Sequence, residues 1–283
     1  LVTHKGCLDG TGSALVFWWA GGKTENILFR NPSTCALSPI EAAPYDEIWY
    51  ADVCPSGDDP GGGKPFHVFD HHVSNQKKHP DDERYTFDLS KSGTSLLAYE
   101  LGFELNGFNK WEQRLVEALE AYDLGRFDHV EGQMLADVAA TYTQEDLLWL
   151  LQKFGPDFLD DKEMKSRAEA LAAVRNLYAA NAAKYCRRED FFFQGICVTL
   201  GIATSPVYWK NAVAQEILRM PDAPQVAVIF DPTSQMVSLR SLRGGPDCSM
   251  IAGLYGGGGH AQAAGFKFSG QAMLASLTRT VFG

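Results

Sequence analysis

The sequence has little basic charge, no paired-cysteine motif and no long apolar run, and each shortage removes a class of function. Lys and Arg number 25 against 35 Asp and Glu, for a formal net charge of −10. A protein that coats long nucleic acid needs an extended basic footprint to displace counterions, so that class is excluded. Small anions are not excluded, because a few Arg, Lys or backbone N–H groups can hold a phosphate and a bound cation reverses the local field. The six cysteines, Cys7, Cys35, Cys54, Cys186, Cys197 and Cys248, show no Cys-x-x-Cys spacing. Neither a zinc knuckle nor a disulfide framework is indicated. No stretch approaches the roughly 18 uninterrupted apolar residues of a membrane-spanning helix. Leu1 leads directly into a strand-like Leu-Val-Thr-His, with no basic prelude, and a cytoplasmic protein is expected. The run Asp58-Asp59-Pro60-Gly61-Gly62-Gly63 is followed by no Gly-Lys-Ser/Thr, so it reads as a turn and not as a P-loop.

What is present is enough chain for two domains. At 283 residues the length exceeds the roughly 100–200 residues of one compact unit. The first half alternates short apolar runs, at Leu1–His4, Asn26–Arg30, Glu47–Ala51 and Pro65–Phe69, with helical stretches. That is the pattern of a parallel sheet covered by helices. Helices are expected at Thr11–Ala20, stopped by Gly21-Gly22, and at Thr94–Leu105, Trp111–Ala121 and Gln144–Phe154. Asp160–Arg188 reads as one long Ala-rich helix. Beyond it, apolar runs at Phe191–Leu200, Gln225–Phe230 and Met236–Leu242, with a helix at Trp209–Arg219, indicate a second, smaller α/β unit. The expected division is residues 1–155, a helical linker at 156–189, and 190–283. Phe17-Trp18-Trp19 and Phe191-Phe192-Phe193 fall within expected core elements and are assigned to packing rather than to base stacking.

Three strand ends finish in metal-ligand chemistry: His4 with Asp9 just beyond, Asp52, and Asp70-His71-His72. Singly, such an Asp could cap a helix and such a His could be a surface group. Together they point to one place, because ligand sites of open parallel sheets lie at the carboxyl ends of the strands. Carboxylates with neutral imidazoles suit manganese, magnesium, iron or zinc. Adjacent residues do not share a helix face, but at a strand-to-loop bend His71 and His72 can turn toward one centre.

These residues resemble the motifs of the DHH family of phosphoesterases with its DHH-associated C-terminal domain, over nearly the whole chain. A His followed by Asp-x-Asp-Gly is matched by His4-Lys5-Gly6-Cys7-Leu8-Asp9-Gly10, a strand-end Asp by Asp52, the naming motif by Asp70-His71-His72, and an Asp after a helix by Asp123. The C-terminal signature, a glycine run ending in His, is matched by Gly256-Gly257-Gly258-Gly259-His260 with Ala263-Ala264-Gly265 behind it. The resemblance implies a two-domain α/β fold, with an N-terminal parallel-sheet domain and a smaller C-terminal substrate-binding domain. It also implies two divalent metal ions, manganese foremost, with magnesium, cobalt or zinc as alternatives. One metal would be held by His4 and Asp52, the second by Asp9, Asp52, His71 and Asp123. His72 would contact the substrate phosphate, and Asp70 would orient a neighbouring histidine. Asp9, Asp70 and His72 are thus the expected catalytic residues.

One position departs from the pattern: Cys7 stands where the family's first Asp completes the first metal's ligands. A thiolate there would bias that metal toward a softer ion such as zinc, or the first site is weak and fills only with substrate, which is the favoured expectation. In the C-terminal unit the glycine run leaves backbone N–H groups where no Cβ blocks an anion, so Gly257, Gly258, Gly259 and His260 are expected to grip substrate. Arg240 is the expected phosphate clamp and Arg243 a second candidate. The function so implied is hydrolysis of very short oligonucleotides to mononucleotides. Alternatives are a phosphatase or phosphodiesterase acting on 3′-phosphoadenosine 5′-phosphate or on linear or cyclic dinucleotides, and a degenerate module that binds nucleotide without turnover. The expected partners are such a short substrate, with no long duplex and no membrane, and a homodimer as the candidate assembly.

Overall fold

A computed structural model of the chain describes residues 1–79, 81–103, 109–126, 128–193 and 195–268. The chain divides into two compact units, Leu1–Leu171 and Ala172–Gly283. The N-terminal unit is built on a sheet of β1 (Val2–His4), β2 (Leu28–Arg30), β3 (Ile48–Ala51), β4 (Phe66–Asp70) and β5 (Tyr85–Phe87). All pairings are parallel and the spatial order is β2-β1-β3-β4-β5. Both faces are covered, as a parallel sheet requires. Along β3 and β4, Ile48, Tyr50, Phe66 and Val68 enter one core, with Leu37 and Ala42. Their neighbours Trp49, Ala51 and Phe69 join Leu96 and Leu97 on the other face.

The helices begin where the sequence supplies caps. Between β1 and β2 lies α1 (Leu8–Trp19), which starts earlier than Thr11 because Cys7 acts as its N-cap, its Sγ accepting from Gly10 N. The short helices α2 (Pro39–Ala42) and α3 (Val73–Gln76) follow β2 and β4. Next comes α4 (Gly93–Glu100), capped by Ser92. It is shorter than the expected Thr94–Leu105, whose last two positions lie outside the described residues. A reciprocal capping box of Asn109 and Glu112 opens α5 (Lys110–Asp123). The unit continues through α6 (Val130–Ala139) and α7 (Gln144–Phe154). Leu15, Leu115, Leu119, Leu135, Leu147, Leu151 and Phe158 lock these helices together in a buried cluster, each fully buried side chain contributing roughly 1.5–3 kcal/mol.

The boundary between the units falls within α8 (Lys162–Lys184). That helix ends before the expected Arg188, because Arg187 and Arg188 already pair in a strand. The C-terminal unit is a sheet of β6 (Arg187–Phe193), β7 (Ile196–Thr204), β8 (Val226–Asp231), β9 (Met236–Ser241), β10 (Gly258–Gly259) and β11 (Ala263–Lys267), with α9 (Lys210–Leu218) and α10 (Cys248–Gly253). Its order is β10-β11-β9-β8-β7-β6, and of the pairings only β7 with β8 is parallel. The expected single run Phe191–Leu200 is therefore corrected to an antiparallel hairpin, in which Phe191 lies opposite Val198. Gly195 in its turn holds φ of 78°, a conformation glycine adopts without strain. The packing assigned to the aromatic triplets holds only in part, since Trp18 is 38% and Phe192 77% exposed. Among the described residues no helix is long and apolar enough to cross a membrane.

Candidate metal centre

The strand order places a topological switch between β1 and β3. The chain leaves β1 toward β2 and returns on the other side to β3, so the loops after β1 and β3 diverge and open a crevice at the carboxyl edge. His4 ends β1, Cys7 and Asp9 open α1, Asp52 follows β3, and Asp70 ends β4 with His71 and His72 just beyond it. Asp123 closes α5, at the negative end of the helix dipole, where a carboxylate is disfavoured by roughly 0.3–1 kcal/mol. Its position is thus explained by what it faces, not by the helix.

These side chains converge. Asp52, only 3% exposed, presents its two oxygens to two different sets of donors. Its Oδ2 lies 3.2 Å from His4 Nδ1 and 3.0 Å from Cys7 Sγ. Its Oδ1 lies 3.4 Å from His71 Nε2, which is also 3.3 Å from Asp123 Oδ2 and 4.0 Å from Asp9 Oδ2. Two donor groups result, His4-Cys7-Asp52 and Asp9-His71-Asp123, each with its ligand atoms within 4.8 Å of one another. Asp70 stands behind them, fully buried. It accepts from His71 N at 2.8 Å and from Asn75 Nδ2 at 2.6 Å, and its Oδ1 lies 2.6 Å from His72 Nδ1.

The charges suit a cation better than one another. Burial, then the neighbouring Asp52 charge, pushes the Asp9 carboxyl up. Burial, then Asp9, pushes Asp123 well up. At Asp52 burial acts upward, but the bonds to His4 and His71 overrule it and hold the group below the usual carboxylate range. At His71 burial acts downward, yet the bond to Asp52 and the charges of Asp123 and Asp9 push it up to about 10. Burial, then Asp52 and Asp9, likewise raises the Cys7 thiol. Three carboxylates around one imidazole hold a proton that a divalent cation would displace, so this donor set fits a metal.

Residues that sequence reasoning did not single out hold the ligands in place. The N-terminus of α4 meets the Asp9 carboxylate, with Gly93 N donating at 2.7 Å and Thr94 N at 2.9 Å. Thr94 Oγ1 also donates to Asp9 O at 2.8 Å. The run Ser92-Gly93-Thr94-Ser95, which caps and opens an otherwise apolar helix, was the available signal. Gln144, the first residue of α7, clamps the turn after β1. Its Oε1 accepts from Gly6 N at 2.7 Å, and its Nε2 donates to His4 O at 2.9 Å and Cys7 O at 3.1 Å. Nothing local in the sequence marks it. Gln144→Ala removes all three bonds, so metal affinity should fall roughly 10–100-fold, as for other residues that orient ligands. Isothermal titration with a divalent cation checks this, and an unchanged affinity would contradict the clamp.

In the C-terminal unit, Arg240 lies in β9 opposite Ala263 of β11, and His260 N donates to Ala263 O at 2.8 Å. Arg240 and His260 therefore lie at the same end of that sheet, on opposite sides of β11. The Arg240 fork is aimed by Asn211, whose Oδ1 accepts from Nε at 3.2 Å and from Nη2 at 2.9 Å. Arg243 sits exposed in the turn beyond β9. The glycine run is not an open cradle of amides, because Gly256 N donates to Gly253 O and Gly257 N to Ala252 O. Glycine is required there by packing: a Cβ on Gly257 would lie 2.1 Å from Gly265 O, and one on Gly259 2.6 Å from Ala263 O. Gly258 and Gly259 pair with β11.

No family model and no curated protein matches the chain. Solved structures do. A DHH domain from a member of a family of ribosomal proteins is 12% identical with a TM-score of 0.61, over 99% of this chain and 85% of that one. A pGpG-specific phosphodiesterase from Vibrio cholerae is 13% identical with a TM-score of 0.52, over 99% of this chain and 97% of that one. RecJ from Thermus thermophilus, in complex with Mn2+, is 15% identical with a TM-score of 0.52; the match covers 98% of this chain and half, 50%, of RecJ. The fold of the chain is that of the DHH phosphoesterases.

Proposed function

We propose that this chain, whose fold is that of the DHH phosphoesterases, is a metal-dependent phosphodiesterase that hydrolyses very short oligonucleotides or dinucleotides. The observation that carries the reading is Asp52, which turns one oxygen to His4 and Cys7 and the other to His71. That is how a carboxylate bridges two cations. His4, Cys7 and Asp52 would hold one ion, and Asp9, Asp52, His71 and Asp123 the other, with manganese the expected ion in the second set. Bound there, such ions supply a water of lowered pKa and neutralise the charge that develops on phosphorus.

The chain's own groups supply the rest. With Nδ1 held on Asp70, the His72 ring is fixed and meets a phosphate oxygen through Nε2. In the C-terminal unit, Arg240, aimed by Asn211, suits a second phosphate, and His260 at the same end of the sheet a ribose or terminal phosphate. Gly257, Gly258 and Gly259 shape that turn. The net charge of −10 favours a substrate too short to lie along the protein surface. The pGpG-specific relative in fold supports a dinucleotide. A labelled series from dinucleotide to long single strand, assayed with Mn2+, tests the proposal. Turnover should be highest at two to five nucleotides, and equal rates on long strands would contradict it.

Metal binding should release protons. His71, at about 10 before a cation arrives, must be neutral to act as a ligand, and a raised pKa means that the proton competes until pH exceeds it. Apparent metal affinity should therefore rise with pH across the neutral range. Calorimetry in buffers of different ionisation enthalpy measures the protons released, and a pH-independent affinity would contradict the proposed ligand set.

A further inference from the structure

We propose that the two halves of the centre hold unlike cations: His4, Cys7 and Asp52 form a zinc-class site with the Cys7 thiolate as a direct ligand, beside a hard, manganese-class site at Asp9, Asp52, His71 and Asp123. The inference rests on the two-cation reading above and deepens it by assigning the chemistry of one ion. It replaces the expectation of a weak first site.

The first argument is convergence. Cys7 Sγ and His4 Nδ1 approach the same oxygen, Asp52 Oδ2, at 3.0 and 3.2 Å. Tetrahedral zinc bonded to S, N and O ligands would set the S···O and N···O separations at roughly 3.4–3.6 Å. Those two separations need to widen by only about 0.2–0.6 Å to admit the ion, and all three ligand atoms lie within 4.8 Å of one another. Three protein ligands also leave the fourth position of a tetrahedral zinc open to water, the arrangement of catalytic rather than structural sites.

The second argument is rigidity. The backbone turn that carries His4 and Cys7 is held in place. Gln144 holds the carbonyls of both residues and the amide of Gly6. Behind it, Gly10 is pressed so close to β1 that a Cβ would lie 2.1 Å from His4 O. Ligands held in place before binding keep the full strength of their bonds.

The third argument is the choice of sulfur. Cys7 is the N-cap of α1, a position where Ser, Thr, Asp or Asn serves the helix better. Capping therefore does not account for a cysteine. A thiolate ligand does, and the Gly10 N–H at 3.1 Å from Sγ is placed to support its negative charge. Thiolates favour zinc, cobalt or ferrous iron over manganese and magnesium. The other set, Asp9, His71 and Asp123 with Asp52 Oδ1 beside them, has three carboxylates and one imidazole without sulfur and the opposite preference.

Cobalt reports the difference, because a cobalt–thiolate bond absorbs in the near ultraviolet and a cobalt–carboxylate bond does not. The metal-stripped chain is titrated with Co2+, followed by competition with Zn2+ or Mn2+, and bound metal is counted by mass spectrometry. The charge-transfer band should saturate with one ion, vanish in Cys7→Ser, and be erased by one equivalent of Zn2+ but not by excess Mn2+. In Cys7→Asp the preference for Zn2+ over Mn2+ should fall by about 100-fold or more. Cobalt bound without the band, or an equal preference in Cys7→Asp and the parent chain, overturns the thiolate assignment alone. Failure to bind any cobalt overturns it together with the two-cation reading beneath it.

Discussion

Asp52→Asn should lower turnover by at least about 10³-fold, on the order of 4 kcal/mol of barrier, while leaving the fold intact. Asn is the informative replacement because Asp52 sits at φ of 57°, a left-handed conformation that Asn tolerates and most other residues resist. Asp52→Ala would add that backbone strain to the chemical loss. The amide keeps the shape but offers one oxygen instead of two, so it cannot face His4 and His71 with equal charge. The metal-free variant should be somewhat less stable, since the Asp52 charge is held below the usual carboxylate range by its bonds to His4 and His71 and an amide forfeits that contribution. Thermal unfolding with and without Mn2+ checks both halves: the parent chain should gain stability on adding metal, and the variant should gain little. Near-parental turnover in Asp52→Asn would remove the bridging role.

Gly93→Ala should be nearly as damaging, from the addition of one methyl group. A Cβ at Gly93 would stand 2.7 Å from Asp52 Cβ, 2.8 Å from Asp52 N and 2.9 Å from Asp9 Oδ2. The first two of those neighbours are the stem of a side chain and backbone, and neither can swing aside. Overpacking of this kind costs about 1–3 kcal/mol, several degrees in Tm for a unit of this size. It would also push Asp9 and Asp52 apart, and misplacing a reacting geometry by about 1 Å costs on the order of 10²-fold in rate. Gly253→Ala is the control, with nothing within 4 Å of the added Cβ; it should leave the rate unchanged and stability equal or slightly higher. A Gly93→Ala variant with parental rate and Tm would show that the α4 N-terminus yields freely.

The outline of this centre was legible because its ligands sit at strand ends, and strand ends of a parallel sheet are where the topology sends ligands. The four apolar runs of the first half became β1 to β4, and His4, Asp52 and Asp70 followed from them. The supporting residues were hidden for a tertiary reason. Gly93 matters because α4 docks end-on against Asp9, and Gln144 because α7 reaches back about 140 positions to the first turn, contacts with no periodicity in one dimension. Element ends slipped where a local rule gave way. A thiol is a poor cap by statistics, so the start of α1 at Leu8 was missed. Arg187 and Arg188 look helical but pair with Ile202 and Gly201, respectively, at a sheet edge. The glycine run was read as open to an anion, whereas its amides and its lack of Cβ serve the packing of β10 against β11.

The most direct test of the central claim is anomalous diffraction from crystals of the chain soaked with Mn2+ and Zn2+. Two peaks should appear, one beside each oxygen of Asp52 and about 3.5–4 Å apart. The first should be bounded by His4 and Cys7, the second by Asp9, His71 and Asp123. Density for no ion, or for ions that leave Asp52 unliganded, would contradict the account.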